Sequence, residues 1–178
     1  MKKLLFKEEQ KFNQWWLWVI LVGAFAVSVV PLWYGLLSQL TTGEPWGDNP
    51  ASDVILAVTT GAITLLMGGV VILFFASRLN TEITEDAISF RFRPFYRSGK
   101  VIHRDEIASF KVGTYNPILE YGGWGIRQGW QKKKVAYNVS GKEGLTLTLK
   151  NGKSILIGTR RVQAITAAME KMMRGKDI

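Results

Sequence analysis

The side chains able to do chemistry in this chain are few, and their spacing limits what they can do. The single histidine, His103, lies two residues before Asp105 and three before Glu106, with Ser98, Ser109 and Glu120 the other nearby polar groups. Acyl or proton transfer needs a nucleophile, a base and an orienting group within hydrogen-bond reach of one another. Nothing in the spacing brings Ser98 or Ser109 to His103. One histidine, scattered carboxylates and no cysteine also fall short of the usual ligand sets for zinc, haem or iron–sulfur clusters. The sequence therefore predicts no catalytic residue, no metal site and no cofactor, and a protein that is not an enzyme.

Two other constellations could bind rather than react. Gly122, Gly123, Gly125 and Gly129 are threaded between Tyr121, Trp124 and Trp130. A phosphate-cradling GxGxxG needs its third glycine one position earlier than Gly129, and no helical pattern follows. The segment reads instead as a tight bend packed by large rings. Directly after it come Lys132, Lys133 and Lys134. Three adjacent like charges cannot all enter a core, so the run is at least partly solvated. With Trp130 beside it, it is the leading candidate for contact with an anionic surface. Arg91 and Arg93 are weaker candidates, because their spacing equally suits the solvated face of a strand. Basic charge next to tryptophan also suits single-stranded nucleic acid, but a tether to a bilayer explains the same charge more economically.

That tether is written in the charge distribution. The chain has 178 residues and a formal net charge of +9, yet no Lys or Arg occurs from Phe12 to Ser77, and the only acids there are Glu44, Asp48 and Asp53. Residues 15–37 and 54–76 are two uncharged runs, each about 34 Å long as a helix against a hydrocarbon core of about 30 Å. Ala24-Phe25-Ala26 imitates a signal-peptidase site, but the apolar run continues through Val29, Val30, Leu32 and Trp33 without the polar region that cleavage requires. Neither run holds an ionisable residue, which favours an anchor over a transport pathway. Ala24 and Ser28 on the first helix, and Ala57, Gly61 and Gly68-Gly69 on the second, are expected to let the helices approach closely. The expected organisation is a basic N-terminal segment (1–14), helix (15–37), acidic extracytoplasmic loop (38–53), helix (54–76) and a cytoplasmic domain (78–178).

The domain holds 19 basic and 9 acidic residues. Ile88, Phe90 and Phe92 alternate with Ser89, Arg91 and Arg93, which predicts a half-buried strand. A short strand near Thr81–Thr84 precedes it, and strands at 100–103 and 107–112 follow. Val135–Val139, Leu145–Lys150 and Lys153–Ile157 predict a three-strand meander, its last turn a two-residue type I′ loop at Asn151-Gly152. Val162, Ile165, Met169 and Met172 then recur at helical spacing and predict one amphipathic helix closing the apolar face of the sheet. Such a unit is expected to fold without the membrane.

This order of elements, with GGWGIR at 122–127, AYNVSG at 136–141 and LTLTLKNGKSILIGT at 145–159, resembles a largely uncharacterised bacterial membrane protein family that joins a two-helix anchor to a bacterial PH-like domain. The resemblance implies a mainly-β PH-like barrel or sandwich with a C-terminal capping helix, acting as a cytoplasmic binding module, and carries over no catalytic residues. Arg91-Phe92-Arg93 is similar to the Arg-x-Arg of phosphoinositide-binding PH domains. The preceding turn, Glu85-Asp86, is acidic where those domains are basic.

The expected function is that of a membrane-anchored binding or scaffold protein whose domain engages a protein partner or anionic lipid head groups. The alternative is a small accessory subunit of a membrane complex, with contacts made mainly by the hairpin. Lys2, Lys3, Lys7 and Lys11 before the first helix and Arg78 after the second, with no basic residue between the helices, place both termini on the cytoplasmic side of the inner membrane. A reporter active only outside the cytoplasm should therefore be active when fused after Gly47 and silent when fused after Ile178; the reverse pattern would invert the orientation.

Overall fold

Between Leu4 and Lys11 the chain alternates in a way that composition alone hides. Phe6, Glu8 and Gln10 are buried, while Lys7, Glu9 and Lys11 face solvent. The computed structural model of the protein describes residues 3–95, 98–129 and 133–174, and in it Leu4–Lys11 is strand β1. Two long helices follow, α1 (Trp15–Thr42) and α2 (Asp53–Ala76). Next come β2 (Arg78–Thr84), β3 (Ala87–Arg93), β4 (Lys100–His103), a 3-10 turn at Arg104–Glu106, β5 (Ile107–Thr114) and the short helix α3 (Pro117–Tyr121). The chain continues through β6 (Gly125–Gln128), β7 (Lys134–Asn138), β8 (Glu143–Leu149) and β9 (Ser154–Gly158), and closes with α4 (Val162–Arg174).

These elements form two compact units. One comprises the stretch through Phe12 together with the chain from Ala76 onward, and the other comprises Asn13–Phe75. The N-terminal segment, expected to be a basic leader, is therefore part of the β unit, which does not begin at 78. β1 pairs antiparallel with β2, from Lys11 opposite Arg78 to Phe6 opposite Ile83. The helical pair is an insertion into a β-hairpin, as if a two-residue turn had been replaced by the whole of Asn13–Phe75. Four mixed polar residues, Lys7, Glu8, Glu9 and Gln10, hid this strand, because two of them are buried through hydrogen bonds rather than apolarity.

The β unit contains a four-stranded sheet in the order β1-β2-β3-β4 and a five-stranded sheet in the order β5-β8-β9-β7-β6. The expected meander is absent. β9 lies between β8 and β7, antiparallel to the first and parallel to the second, and β7 and β8 are not neighbours. Burial explains the choice: Ala136, Tyr137, Asn138, Leu156 and Ile157 are almost wholly enclosed, so β7 and β9 are covered on both faces, as interior strands must be. An uninterrupted Ile155-Leu156-Ile157 run fits that position better than the edge of a meander. The Asn151-Gly152 turn also differs from expectation. A type I′ turn needs positive φ at both central residues, whereas Gly152 has φ 76° and no described non-glycine residue has a positive φ. Gly152 N donates to Leu149 O, and Leu149 N to Lys153 O, making a three-residue loop in which only the glycine takes the left-handed conformation.

Leu79, Ile83, Ile88 and Phe90 of the first sheet, and Leu145, Leu147, Leu156 and Ile157 of the second, are buried with Ile165, Met169 and Met172 of α4. The helix thus has the apolar face its spacing predicts, and it packs against β1, β2, β5 and β8. β1 is tied to the second sheet by polar contacts. Thr159 Oγ1 donates to Glu8 Oε2 at 2.6 Å, Arg160 N to Glu8 Oε1 at 2.9 Å, and Gln10 Nε2 to Gly158 O at 2.7 Å. Hydrogen bonds to a charged group contribute about 1.5–3 kcal/mol each when buried.

In the helical unit, α1 and α2 are long and apolar enough to cross a membrane. α1 runs through Pro31 and continues to Thr42, so the connection is shorter than the expected 38–53 loop. Gln39 organises it: its Nε2 donates to Ala51 O and Asp53 Oδ1, and its Oε1 accepts from Trp46 N. The Trp46 ring lies over Gly35, where a Cβ would collide with it. The expected close approach of the backbones is not observed at the glycines: nothing lies within 4 Å of where a Cβ would stand at Gly61 or Gly69, and at Gly68 the neighbour is the Phe25 side chain at 3.9 Å. Larger groups make the contact: Trp33 Nε1 donates to Thr64 Oγ1 at 3.0 Å, and the Trp18 and Phe75 rings meet edge to face at 6.3 Å.

Joining Phe12 directly to Ser77 through a two-residue Asn-Gly turn should therefore give a soluble protein with a single cooperative melt. The chain starting at Ser77 should lose that melt, because it lacks the buried Phe6 and Phe12, worth about 1.5–3 kcal/mol each, and leaves the edge of β2 unpaired. Equal melts for the two proteins would show that β1 is dispensable.

Candidate basic interface

Trp130 and Lys132 lie outside the described residues, so the interface is built from the residues on either side. Lys133 is exposed and Lys134, the first residue of β7, is half-buried. The parallel pairing of β7 with β9 determines what stands beside them. Lys134 is in register with Ser154, and Ser154 N donates to Lys133 O at 2.9 Å. The Lys133 ammonium consequently reaches to within 3.7 Å of the position a Cβ on Gly152 would occupy. Lys150 and Lys153, exposed on the β8–β9 loop, thus join Lys133 at one end of the five-stranded sheet. The parallel pairing of β7 with β9 sets Lys133 directly beside the β8–β9 loop. The patch has an acidic margin, since Lys150 N donates to Glu106 O and both Asp105 and Glu106 are exposed.

Arg91 and Arg93 stand elsewhere, on the solvent face of β3. Arg91 is opposite Asn80 and Arg93 is opposite Arg78. This face is laced with exposed ion pairs, Lys7–Glu82 at 2.8 Å, Lys11–Glu9 at 3.4 Å and Arg78–Glu9 at 3.3 Å. Pairs this exposed contribute about 0–1 kcal/mol each and mainly keep the face soluble. The two groups of basic candidates occupy opposite ends of the β unit. Lys11 O accepts from Arg160 beyond the last residue of β9, whereas Lys133 and Lys153 stand before its first.

His103, Glu106 and Glu120 take part in local caps. His103 N donates to Glu106 Oε1 at the start of the 3-10 turn. Glu120 Oε1 accepts from Asn116 N while Asn116 Oδ1 accepts from Ile118 N and Leu119 N, a reciprocal cap on α3. Among the described residues no three His, Asp or Glu side chains come together as a metal site. The glycine-rich stretch opens with α3 and turns out of it at Gly122 into β6. Its rings pack as expected of bulky side chains beside glycine: Tyr121 meets Tyr115 edge to face at 6.1 Å. Tyr115 Oη accepts from Asn138 Nδ2 at 2.8 Å.

A shallow depression of about 500 Å³ lies at the N-terminus of α4, lined by Glu143, Arg160, Arg161 and Gln163. Its two arginines are engaged by the β unit itself. Arg160 donates to Ser140 Oγ, and Arg161 donates to Lys7 O with its guanidinium 5.5 Å from the centre of the Phe6 ring. Comparison with protein families finds no model that matches the chain, and comparison with curated proteins finds no match.

Burial raises the Tyr115 phenol above its ordinary value of about 10, more than the Asn138 hydrogen bond lowers it; burial and then Glu120 raise Tyr121. With folded values above unfolded ones, the neutral phenols contribute stability that is complete below pH about 10 and lost as pH rises through the folded values. Thermal stability should thus fall more steeply above pH 10 in the parent than in Tyr115→Phe, measured by melts from pH 8 to 11. Parallel curves would show that Tyr115 is not held neutral by the fold.

Proposed function

We propose that this chain is a membrane-anchored binding protein of the cytoplasmic membrane, with both termini inside, whose PH-like unit is displayed at the bilayer to engage a protein partner. The observation that carries the reading is the insertion of the helical pair into the β1–β2 hairpin. An anchor that merely retained a domain would need one flexible connection. Here the chain leaves the β unit at Phe12 and re-enters it at Ala76, through strands paired at Lys11 and Arg78. Two short connections restrict the rotation of a unit that a single tether would leave free. Two sheets closed by a C-terminal amphipathic helix support the PH-like reading, as do the sequence segments that resemble that family.

The end of the unit remote from these connections carries Lys133, Lys150 and Lys153 on loops, where they are available to an acidic protein surface. Such charges steer encounter and specificity more than they add affinity. A photo-crosslinking residue at Asn151 should capture a partner in cells. Capture should be lost in Lys133→Glu/Lys150→Glu/Lys153→Glu and kept when residues 15–76 are exchanged for an unrelated helical hairpin. Loss of the partner on exchanging the hairpin, with capture indifferent to the lysines, would instead support the accessory-subunit reading, in which the helices make the contact.

A further inference from the structure

At the end of the first sheet where the helices are attached, three cations stand side by side. Lys11 of β1 is opposite Arg78 of β2, and Arg78 is opposite Arg93 of β3, all on the solvent face. Like charges directly opposite on neighbouring strands destabilise a sheet. One carboxylate answers them: Glu9 lies 3.4 Å from Lys11 and 3.3 Å from Arg78. Arg93 has no ion-pair partner among the described residues. Two residues beyond Arg93, Phe95 is 57% exposed, although its ring lies only 6.2 Å from that of buried Phe92. An excess of positive charge with an exposed aromatic ring two residues further along the chain is a poor arrangement for water and a favourable one for an anionic interface, where cations meet head groups and rings sit at head-group depth.

Chain length fixes how far this row can be from a bilayer. Lys11 is four residues before Trp15 and Arg78 two after Ala76, spans of at most about 14 Å and 7 Å for a fully extended chain. Electrostatic attraction to anionic lipid acts over about 8 Å at physiological ionic strength. We propose that Lys11, Arg78, Arg93 and Phe95 form a lipid-contact edge that rests the β unit on the anionic surface of the bilayer holding its own helices. The inference rests on the membrane-anchored reading and adds to it a defined lower edge, which turns the Lys133, Lys150 and Lys153 end away from the membrane.

The chain has no cysteine, so a single introduced one takes a nitroxide label uniquely. The full-length Ser98→Cys variant, labelled three residues after Phe95, should be reconstituted into phosphatidylcholine vesicles with and without 30% phosphatidylglycerol. Its accessibility to oxygen and to a water-soluble nickel chelate is then measured, with Asn151→Cys as the label at the remote end. The label at 98 should become lipid-accessible in the anionic vesicles only, and return to water when salt is raised or when Lys11→Gln/Arg93→Gln or Phe95→Ser is added. Removing each positive charge should weaken the association roughly fivefold. The label at 151 should stay aqueous throughout. A label at 98 that is aqueous in anionic vesicles, or equally lipid-accessible in neutral ones, would overturn the proposal, as would indifference to salt. Failure of the parent protein to float with vesicles would overturn the membrane-anchored reading itself, a result distinct from the others.

Discussion

The pairing of β1 with β2 is the constraint on which the rest of this protein depends. The two strands are separated in sequence by a helical pair of more than sixty residues, yet they meet in register from Phe6 opposite Ile83 to Lys11 opposite Arg78. Bringing the ends of such a long segment together costs conformational entropy that grows only slowly with its length, and antiparallel helices already return the chain close to its starting point. The helical hairpin and the hairpin in the sheet thus lower each other's closure cost. Neither the four-stranded sheet nor the cover beneath α4 is complete until β1 has paired with β2.

The chemistry of that closure is unusually polar for a strand this buried. Glu8 is 7% exposed and Gln10 1%, and they bind the exit of β9 at Gly158, Thr159 and Arg160. An apolar strand would be simpler to bury, but it would tolerate a shift of two residues, because the same face would still point inward. A carboxylate that must find Thr159 Oγ1 and Arg160 N, and an amide that must find Gly158 O, accept one register only. Thr159 Oγ1 in turn accepts from Arg161 N at the start of α4, so the same contacts set where the last helix begins. The N-terminal strand, the last strand and the terminal helix are joined at one corner.

Much of this architecture was legible in the sequence wherever apolar periodicity carried the information. The long uncharged runs gave both membrane-length helices, the Ile88-Phe90-Phe92 alternation gave β3, and the Ile165-Met169-Met172 spacing gave the buried face of α4. What was hidden was held by partners far away in the chain. β1 reads as a basic leader because Glu8 and Gln10 owe their burial to residues about 150 positions later. The place of β7 was misread because local turn signals favour adjacent antiparallel pairing, whereas covering both faces of two apolar strands favours β9 in the middle. At the basic end, Lys133 is read from a run of charge, and the parallel pairing of β7 with β9 sets it directly beside the β8–β9 loop that carries Lys150 and Lys153.

If β1 is an integral strand, its amides must be as hard to expose as the core. Hydrogen exchange on the full chain in lipid tests this directly, because it reports local opening without any substitution. The account predicts that amides from Phe6 to Gln10 exchange as slowly as those of Leu145–Leu149 and Ile155–Ile157. Rapid exchange across Phe6–Gln10, with β8 and β9 still protected, would show that the strand is an accessory to the β unit rather than its closure.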